Sequence, residues 1–196
     1  MHKKYGINIS ILCSNILISY SIMCISKYNH NIIYYFGKLG INLCLGEIID
    51  IKQNKDDNIN NYINCIEKKT ASLFELCTYI GSCIGNGNKR EINSMKRFGM
   101  YFGISYQLID DLLEDINFIF DKKSNYHSNS LFSIYLKHTN KKNSLNKCIK
   151  IIRKYLMYAN NELLIFKDKN KAKIKLKQLI NYLENIIKKI IKEYHV

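Results

Sequence analysis

The densest acid chemistry in the chain is the run Asp110-Asp111-Leu112-Leu113-Glu114-Asp115. On a helix Asp110 and Glu114 are i,i+4 neighbours, as are Asp111 and Asp115, and like charges ~4 Å apart repel by ~4 kcal/mol at an effective dielectric near 20. Something cationic must offset that repulsion. Carboxylate oxygens converging on one helical face suit a hard divalent ion, and Mg²⁺, which keeps waters and takes one or two carboxylates plus substrate phosphates, fits best. Spacing alone leaves open an exposed acidic patch paired with lysines. Gly99, Gly103 and Gln107 run beside the core stripe toward these acids. Each glycine inside a helix costs about 1 kcal/mol relative to alanine, so their presence points to a neighbour or ligand close to the backbone. Lys69-Thr70 is the second anomaly, because it falls inside the apolar stripe Ile66, Leu73, Cys77, Ile80, Ile84. A desolvated ammonium needs an anion, so either Lys69 snorkels to water or something negative meets it.

The elements that must position these groups read as helices throughout. Proline is absent and only 9 glycines occur, so little interrupts long helical runs, and no stretch alternates with period two. The periodicity predicts helices at about Gly6 to Ser26, Asn31 to Gln53, Ile59 to Ile84, Arg90 to Phe120, Ser144 to Phe166 and Lys171 to Glu193. Asp56, Asp57 and Asn58 can cap the third, and Gly85-Asn86-Gly87-Asn88 separates it from the fourth. The fourth carries a core stripe of Phe102, Tyr106, Ile109, Leu113, Ile116 and Phe120, and 121–130 shows no helical stripe. The opening Met1-His2-Lys3-Lys4 and the uncharged run Tyr5 to Ser26 resemble a signal or a membrane span. Asn8, Ser10, Ser14, Asn15, Ser19 and Ser21 interrupt that run, so a buried core helix is expected and no membrane span.

With 196 residues, 47% hydrophobic and 23% charged, the chain suits one folded domain. Its net charge of +14 raises nucleic acid as a partner, yet only Arg90, Arg97 and Arg153 are arginines. A phosphate-reading surface favours clustered Arg. Lys, Asn, Ile and Tyr are instead overused everywhere, as codon drift in an AT-rich genome would produce, so no nucleic acid is expected. Seven cysteines, Cys13, Cys24, Cys44, Cys65, Cys77, Cys83 and Cys148, show no CxxC pair or zinc spacing. Buried thiols in a reducing, cytoplasmic setting are expected.

The stretch from Phe98 to Asp115, with Gly99, Gly103, Tyr106, Gln107, Asp110, Asp111 and Glu114, resembles the G-x-x-x-G-x-x-(F/Y)-Q-x-x-D-D-x-x-D segment of the trans-isoprenyl diphosphate synthases, the polyprenyl synthetase family. Glu67-Lys68-Lys69-Thr70-Ala71-Ser72-Leu73-Phe74 resembles its Lys-Thr element, and Gly46-Glu47-Ile48-Ile49-Asp50 its Gly-(Gln/Glu)-x-x-Asp element. His2-Lys3-Lys4-Tyr5-Gly6 followed by Ile11 to Leu17 is similar to the H-K-x-(F/Y)-G and I-L-A-G-D-x-L helix of the short-chain members, the farnesyl and geranylgeranyl diphosphate synthases.

The resemblance implies an all-α, isoprenoid-synthase-like bundle lacking its first helices, with residues 1–196 as the downstream part of a single family domain. It implies a prenyltransferase of isoprenoid biosynthesis that condenses isopentenyl diphosphate with an allylic diphosphate, with Mg²⁺ as cofactor. Asp110, Asp111 and Glu114 would match the second metal-binding motif. Lys69 would match the lysine on the allylic diphosphate, Thr70 and Gln107 the polar groups lining the reacting end, and Lys123 a lysine that follows the motif. The cleft is expected between the third and fourth helices, with homodimers, or heterodimers with a related synthase, forming through the first two. Glu114 stands where the family usually has Asp, and Ser14-Asn15 where it has Gly-Asp. No DDxxD precedes Lys69, and the isopentenyl-diphosphate-binding segment has no counterpart. Three readings follow: a synthase incomplete as an isolated chain, a degenerate non-catalytic subunit that dimerises with a complete synthase, or, setting the resemblance aside, a basic helical binding protein.

Overall fold

The computed structural model describes residues 1–52, 58–120 and 130–194, and among them it contains helices and turns and no strand. Contacts divide the chain into two units, Met1–Lys38 and Leu39–Val196.

The first unit holds α1 (His2–Tyr5), α2 (Ile7–Ile25) and the opening of α3 (His30–Lys52). Gly6, at φ 82°, breaks α1 from α2 in a conformation that favours glycine. Ser10, Ser14 and Ser21 do not interrupt α2, because each hydroxyl donates to a carbonyl one turn earlier, at 2.8 to 2.9 Å. The expected core helix is not found: α2 buries none of its residues. By length and composition alone, Ile7–Ile25 and His30–Lys52 could each cross a membrane.

In the second unit, asparagines start four of the helices. Asn58 caps α4 (Ile59–Ile66) by accepting the Asn60 N–H at 2.9 Å, whereas Asp56 and Asp57 lie outside the described residues. Asn88 and Glu91 form a reciprocal box at the head of α6 (Lys89–Phe120), with bonds of 2.8 and 3.0 Å. Asn140 caps α8 (Lys141–Glu162), and Asn170 accepts two N–H groups at the start of α9 (Lys171–Tyr194).

The expected third helix is not continuous. Between α4 and α5 (Ser72–Ile84) the residues Glu67–Ala71 form a π turn, and the Ser72 hydroxyl donates to the Lys68 carbonyl at 2.6 Å. The wide turn re-phases the helix, which explains why the straight 3.6-residue stripe fails: Ile66 is buried but Leu73, Cys77 and Ile84 face outward. Ala71, Ser72 and Leu76 are buried instead.

α6, about 48 Å long at 1.5 Å per residue, is the axis of the unit and packs chiefly against α5 and α8. Its core side chains are Phe98, Phe102, Ile104, Leu108, Ile109, Leu112 and Ile116, while Tyr106 of the expected stripe is exposed. A six-residue helix absent from the periodicity, α7 (Leu131–Leu136), is buried at Leu131, Phe132 and Ile134. All seven cysteines are free, but only Cys65 and Cys148 are buried; Cys24, Cys44 and Cys77 are exposed, so the expectation of uniformly buried thiols fails.

Candidate active site

The two sequence anomalies meet where the π turn and the start of α5 pack on α6, and the glycines make the meeting possible. A Cβ on Gly103 would stand 2.6 Å from the Ala71 Cα, and one on Gly99 2.5 Å from the Phe74 carbonyl oxygen, so only glycine allows this approach. Gly46 of α3 does the same for the π turn, where a Cβ would lie 2.6 Å from the Lys69 Cα.

Within this contact the hydroxyl of Thr70 donates to Gln107 Oε1 at 2.6 Å. The Gln107 amide donates in turn to Asp111 Oδ1 at 2.6 Å, and the phenol of buried Tyr62, on α4, donates to Asp111 Oδ2, also at 2.6 Å. Burial pushes the Asp111 carboxyl above its ordinary range; the bonds from Tyr62 and Gln107 oppose the shift, Asp110 adds to it, and Lys69 opposes it.

Lys69 finds the anion that its place in the helix demands within the chain itself. Its ammonium lies 2.7 Å from Asp50 Oδ2 and 3.8 Å from Glu47 Oε2, both on α3. Burial pulls this group down, yet the Asp50 hydrogen bond and charge, with Glu47 and Asp111, outweigh burial and hold it above its ordinary value. Next to the pair, Cys65 faces the Gly46 carbonyl at 3.6 Å and Asp50 at 3.9 Å. Burial, reinforced by the Asp50 charge, raises this thiol to about 11, so it stays protonated near neutral pH.

Asp50, Tyr62, Cys65, Ile66, Lys69, Gln107, Asp111, Glu114, Asp115 and Ser130 line a cavity of about 190 Å³. Asp110 and Glu114 are solvent-facing, Asp111 is half-buried and tied down, and Asp115 is buried, bonded by the Ser130 hydroxyl. Among the described residues no three acids, histidines or cysteines form a ready metal cage. Apart from the Cys65 thiol, which burial keeps protonated, the cavity's metal-binding donors are oxygens beside a lysine, which suits a hard ion that keeps its waters and shares a phosphate. Lys123 lies outside the described residues. The structure thus brings together Lys69, Thr70, Gln107, Asp111 and Glu114. Sequence reasoning missed Tyr62, which looks like one more apolar position one turn before Ile66, and assigned no task to Asp50, whose only signal was its element.

A larger cavity of about 1110 Å³ lies between α5, α6 and α9 and is lined largely by apolar groups such as Phe74, Phe98, Phe102 and Leu176.

Comparison with known proteins places the chain among prenyl diphosphate synthases in sequence and fold. A geranylfarnesyl diphosphate synthase of Methanosarcina mazei is 35% identical over 182 residues, 92% of this chain and 61% of that relative. The crystal structure of a geranyltranstransferase from the same organism matches at a TM-score of 0.79 and 33% identity, covering 90% of this chain and 61% of that one. Heptaprenyl diphosphate synthase component 2 of Bacillus subtilis is 36% identical over 76 residues, 38% of this chain and 22% of that relative. The chain therefore spans about three fifths of the Methanosarcina proteins it matches. The family model for polyprenyl synthetases matches residues 1–124, which include the π turn, both glycines and the acidic run, and the chain belongs to that family.

Proposed function

We propose that the chain carries the diphosphate-handling side of a prenyl transfer reaction of isoprenoid biosynthesis, in which isopentenyl diphosphate condenses with an allylic diphosphate. The observation that carries this reading is that the Lys69 ammonium and Asp111 line one cavity, with Thr70 of the π turn bonded to Gln107 of α6 and Gln107 to Asp111. Lys69 binds the allylic diphosphate and stabilises its charge as the C–O bond breaks. Thr70 and Gln107 hold the reacting end with dipoles that are already oriented. Asp110, Asp111 and Glu114 would hold Mg²⁺, which when bound supplies charge neutralisation for the departing diphosphate. Packed helices on either side limit the water that could quench the allylic cation.

The same reading takes residues 1–196 as one part of a single family domain. The partner is a second copy or a related synthase, joined through α2 and α3, and the seven free cysteines suit a cytoplasmic protein. A non-catalytic subunit that dimerises with a complete synthase is the second reading. It is favoured by the uncharged α2, which buries nothing, and by the Bacillus relative being named as one component.

Thermal melts with MgCl₂ and inorganic pyrophosphate test the site, since a ligand of the folded state raises the melting temperature. Asp110→Ala, Asp111→Ala and Lys69→Ala should each remove most of the rise. Parent-like responses from all three would end the assignment. For activity, the 196-residue chain alone should show no detectable condensation of isopentenyl with dimethylallyl or geranyl diphosphate, because losing even one preorganised stabilising group costs about 10² to 10³ in rate and it carries only one of the family's two acidic motifs. Turnover should appear when a segment bearing the other motif is supplied, and silence even then favours the subunit reading.

A further inference from the structure

We infer that Tyr62 is a positioning residue for the Asp111 carboxylate. The inference rests on the reading of Asp110, Asp111 and Glu114 as the acids that face metal and diphosphate. Of these three, Asp110 and Glu114 are exposed and can change rotamer in water, so they cannot by themselves set where a cation sits. Asp111 is different, because each of its oxygens is held by a separate donor: Oδ1 by the Gln107 amide and Oδ2 by the Tyr62 phenol, both at 2.6 Å. Two donors on two oxygens fix the plane of the carboxylate, and the lone pairs they leave are the ones available to the cavity.

The two donors are connected. Gln107 is held by Thr70, so Tyr62 and Thr70 grip one carboxylate from the two sides of Lys69 along the chain. Tyr62 stands on the regular turns of α4 and Thr70 in the π turn. This clamp ties the acid to the segment that carries Lys69, so the anchoring carboxylate and the diphosphate lysine hold one spacing. The phenol is well made for the task. Its ring is buried in the core with Ile66 and Phe132, 5% of the residue is exposed, and its hydroxyl ends at the cavity wall. Phenylalanine would keep the packing and lose only the bond.

Tyr62→Phe is therefore the test, read by calorimetric titration of MgCl₂ with inorganic pyrophosphate into the full 196-residue chain. Outer-shell partners of ligating groups typically contribute 10- to 100-fold to metal affinity, so affinity should fall at least about tenfold. Asp111→Asn should fall at least as far, and adding Tyr62→Phe to Asp111→Asn should change nothing more, because the phenol acts only through that carboxylate. A side chain that merely supported the fold would weaken binding equally in both backgrounds. Parent-like affinity in Tyr62→Phe, with loss in Asp111→Asn, overturns the inference and leaves the site reading standing. Parent-like affinity in Asp111→Asn and Lys69→Ala as well overturns both. Should Tyr62→Phe fail to fold with an unsatisfied carboxylate beside it, the double variant, in which the carboxylate has been replaced by a neutral amide, is compared with Asp111→Asn alone: equal affinity supports the inference, and a further loss overturns it.

Discussion

Asp50→Asn removes the charge that Lys69 faces while keeping the shape of the side chain, and it asks whether Asp50 holds the lysine for the diphosphate or competes with it. At the observed 2.7 Å, two unit charges attract by ~6 kcal/mol at an effective dielectric of about 20. The pair is not dry, however: 30% of the Lys69 side chain and 43% of the Asp50 side chain are exposed. Ion pairs so open to water are typically worth about 1 kcal/mol or less, so exposure decides the magnitude and about 1 kcal/mol is the working figure. A diphosphate that takes over the ammonium must offset that amount, a factor of about five in affinity. Glu47 at 3.8 Å keeps a weaker hold in the variant, which makes fivefold the upper figure. Calorimetric titration of metal-free pyrophosphate near neutral pH and at low salt should show Asp50→Asn binding up to about five times more tightly than the parent, with the gain shrinking as salt screens the pair. Lys69→Ala should abolish the gain in the Asp50→Asn background. Unchanged or weaker binding by Asp50→Asn would refute competition and make Asp50 a support for Lys69.

Gly103→Ala drives a methyl into the Ala71 backbone and should lower the urea midpoint, at a cost of about 1–3 kcal/mol, and weaken pyrophosphate binding, since Ala71 adjoins Thr70; an unchanged midpoint would contradict the close approach. Glu162 resists its burial because bidentate Arg97 and Ser94 hold its carboxyl below the usual range, so its contribution is complete above the ordinary glutamate value and lost as pH falls through the lower folded value. Glu162→Gln should therefore be less stable than the parent in neutral urea melts, with the difference closing in acid; a constant difference would mean the carboxylate's charge is not what matters. Lysines at Leu12 and Ile16, both exposed on α2, should reduce the sedimentation coefficient if α2 is a subunit interface, and a parent-like value would remove that assignment.

Much of the fold was legible because helix periodicity needs only composition and phase. The absence of proline and the clustered Gly-Asn turn placed α3, α6, α8 and α9 within a few residues of where they stand. Three features were hidden for separate physical reasons. Periodicity assumes 3.6 residues per turn, so the π turn at Glu67–Ala71 passed as ordinary helix and its faces were misassigned beyond Ala71. α7 has six residues, under two turns, too few for a stripe to register. α2 is uncharged, with apolar residues on every side among its serines and asparagines, and such a helix reads as core whether or not anything covers it.

In the site, the acids and Lys69-Thr70 stood out because they break amphipathic patterning, and Tyr62 stayed hidden because it obeys it. That contrast bears on why the glycines are there. Tyr62 and Asp111 are 49 positions apart, and Thr70 and Gln107 are 37 apart, yet each pair bonds at 2.6 Å. Thr and Gln side chains span such a gap only if their helices nearly touch, and Gly99 and Gly103 are where backbone replaces side chain on α6. Two helical glycines cost about 2 kcal/mol together relative to alanine. The three linked bonds that accompany their approach, Thr70 to Gln107, Gln107 to Asp111 and Tyr62 to Asp111, each contribute about 1 kcal/mol or more. The glycines and the crowded acids, separate oddities in the sequence, are thus one arrangement: the close approach is what allows a half-buried carboxylate to be held by two donors while facing a lysine.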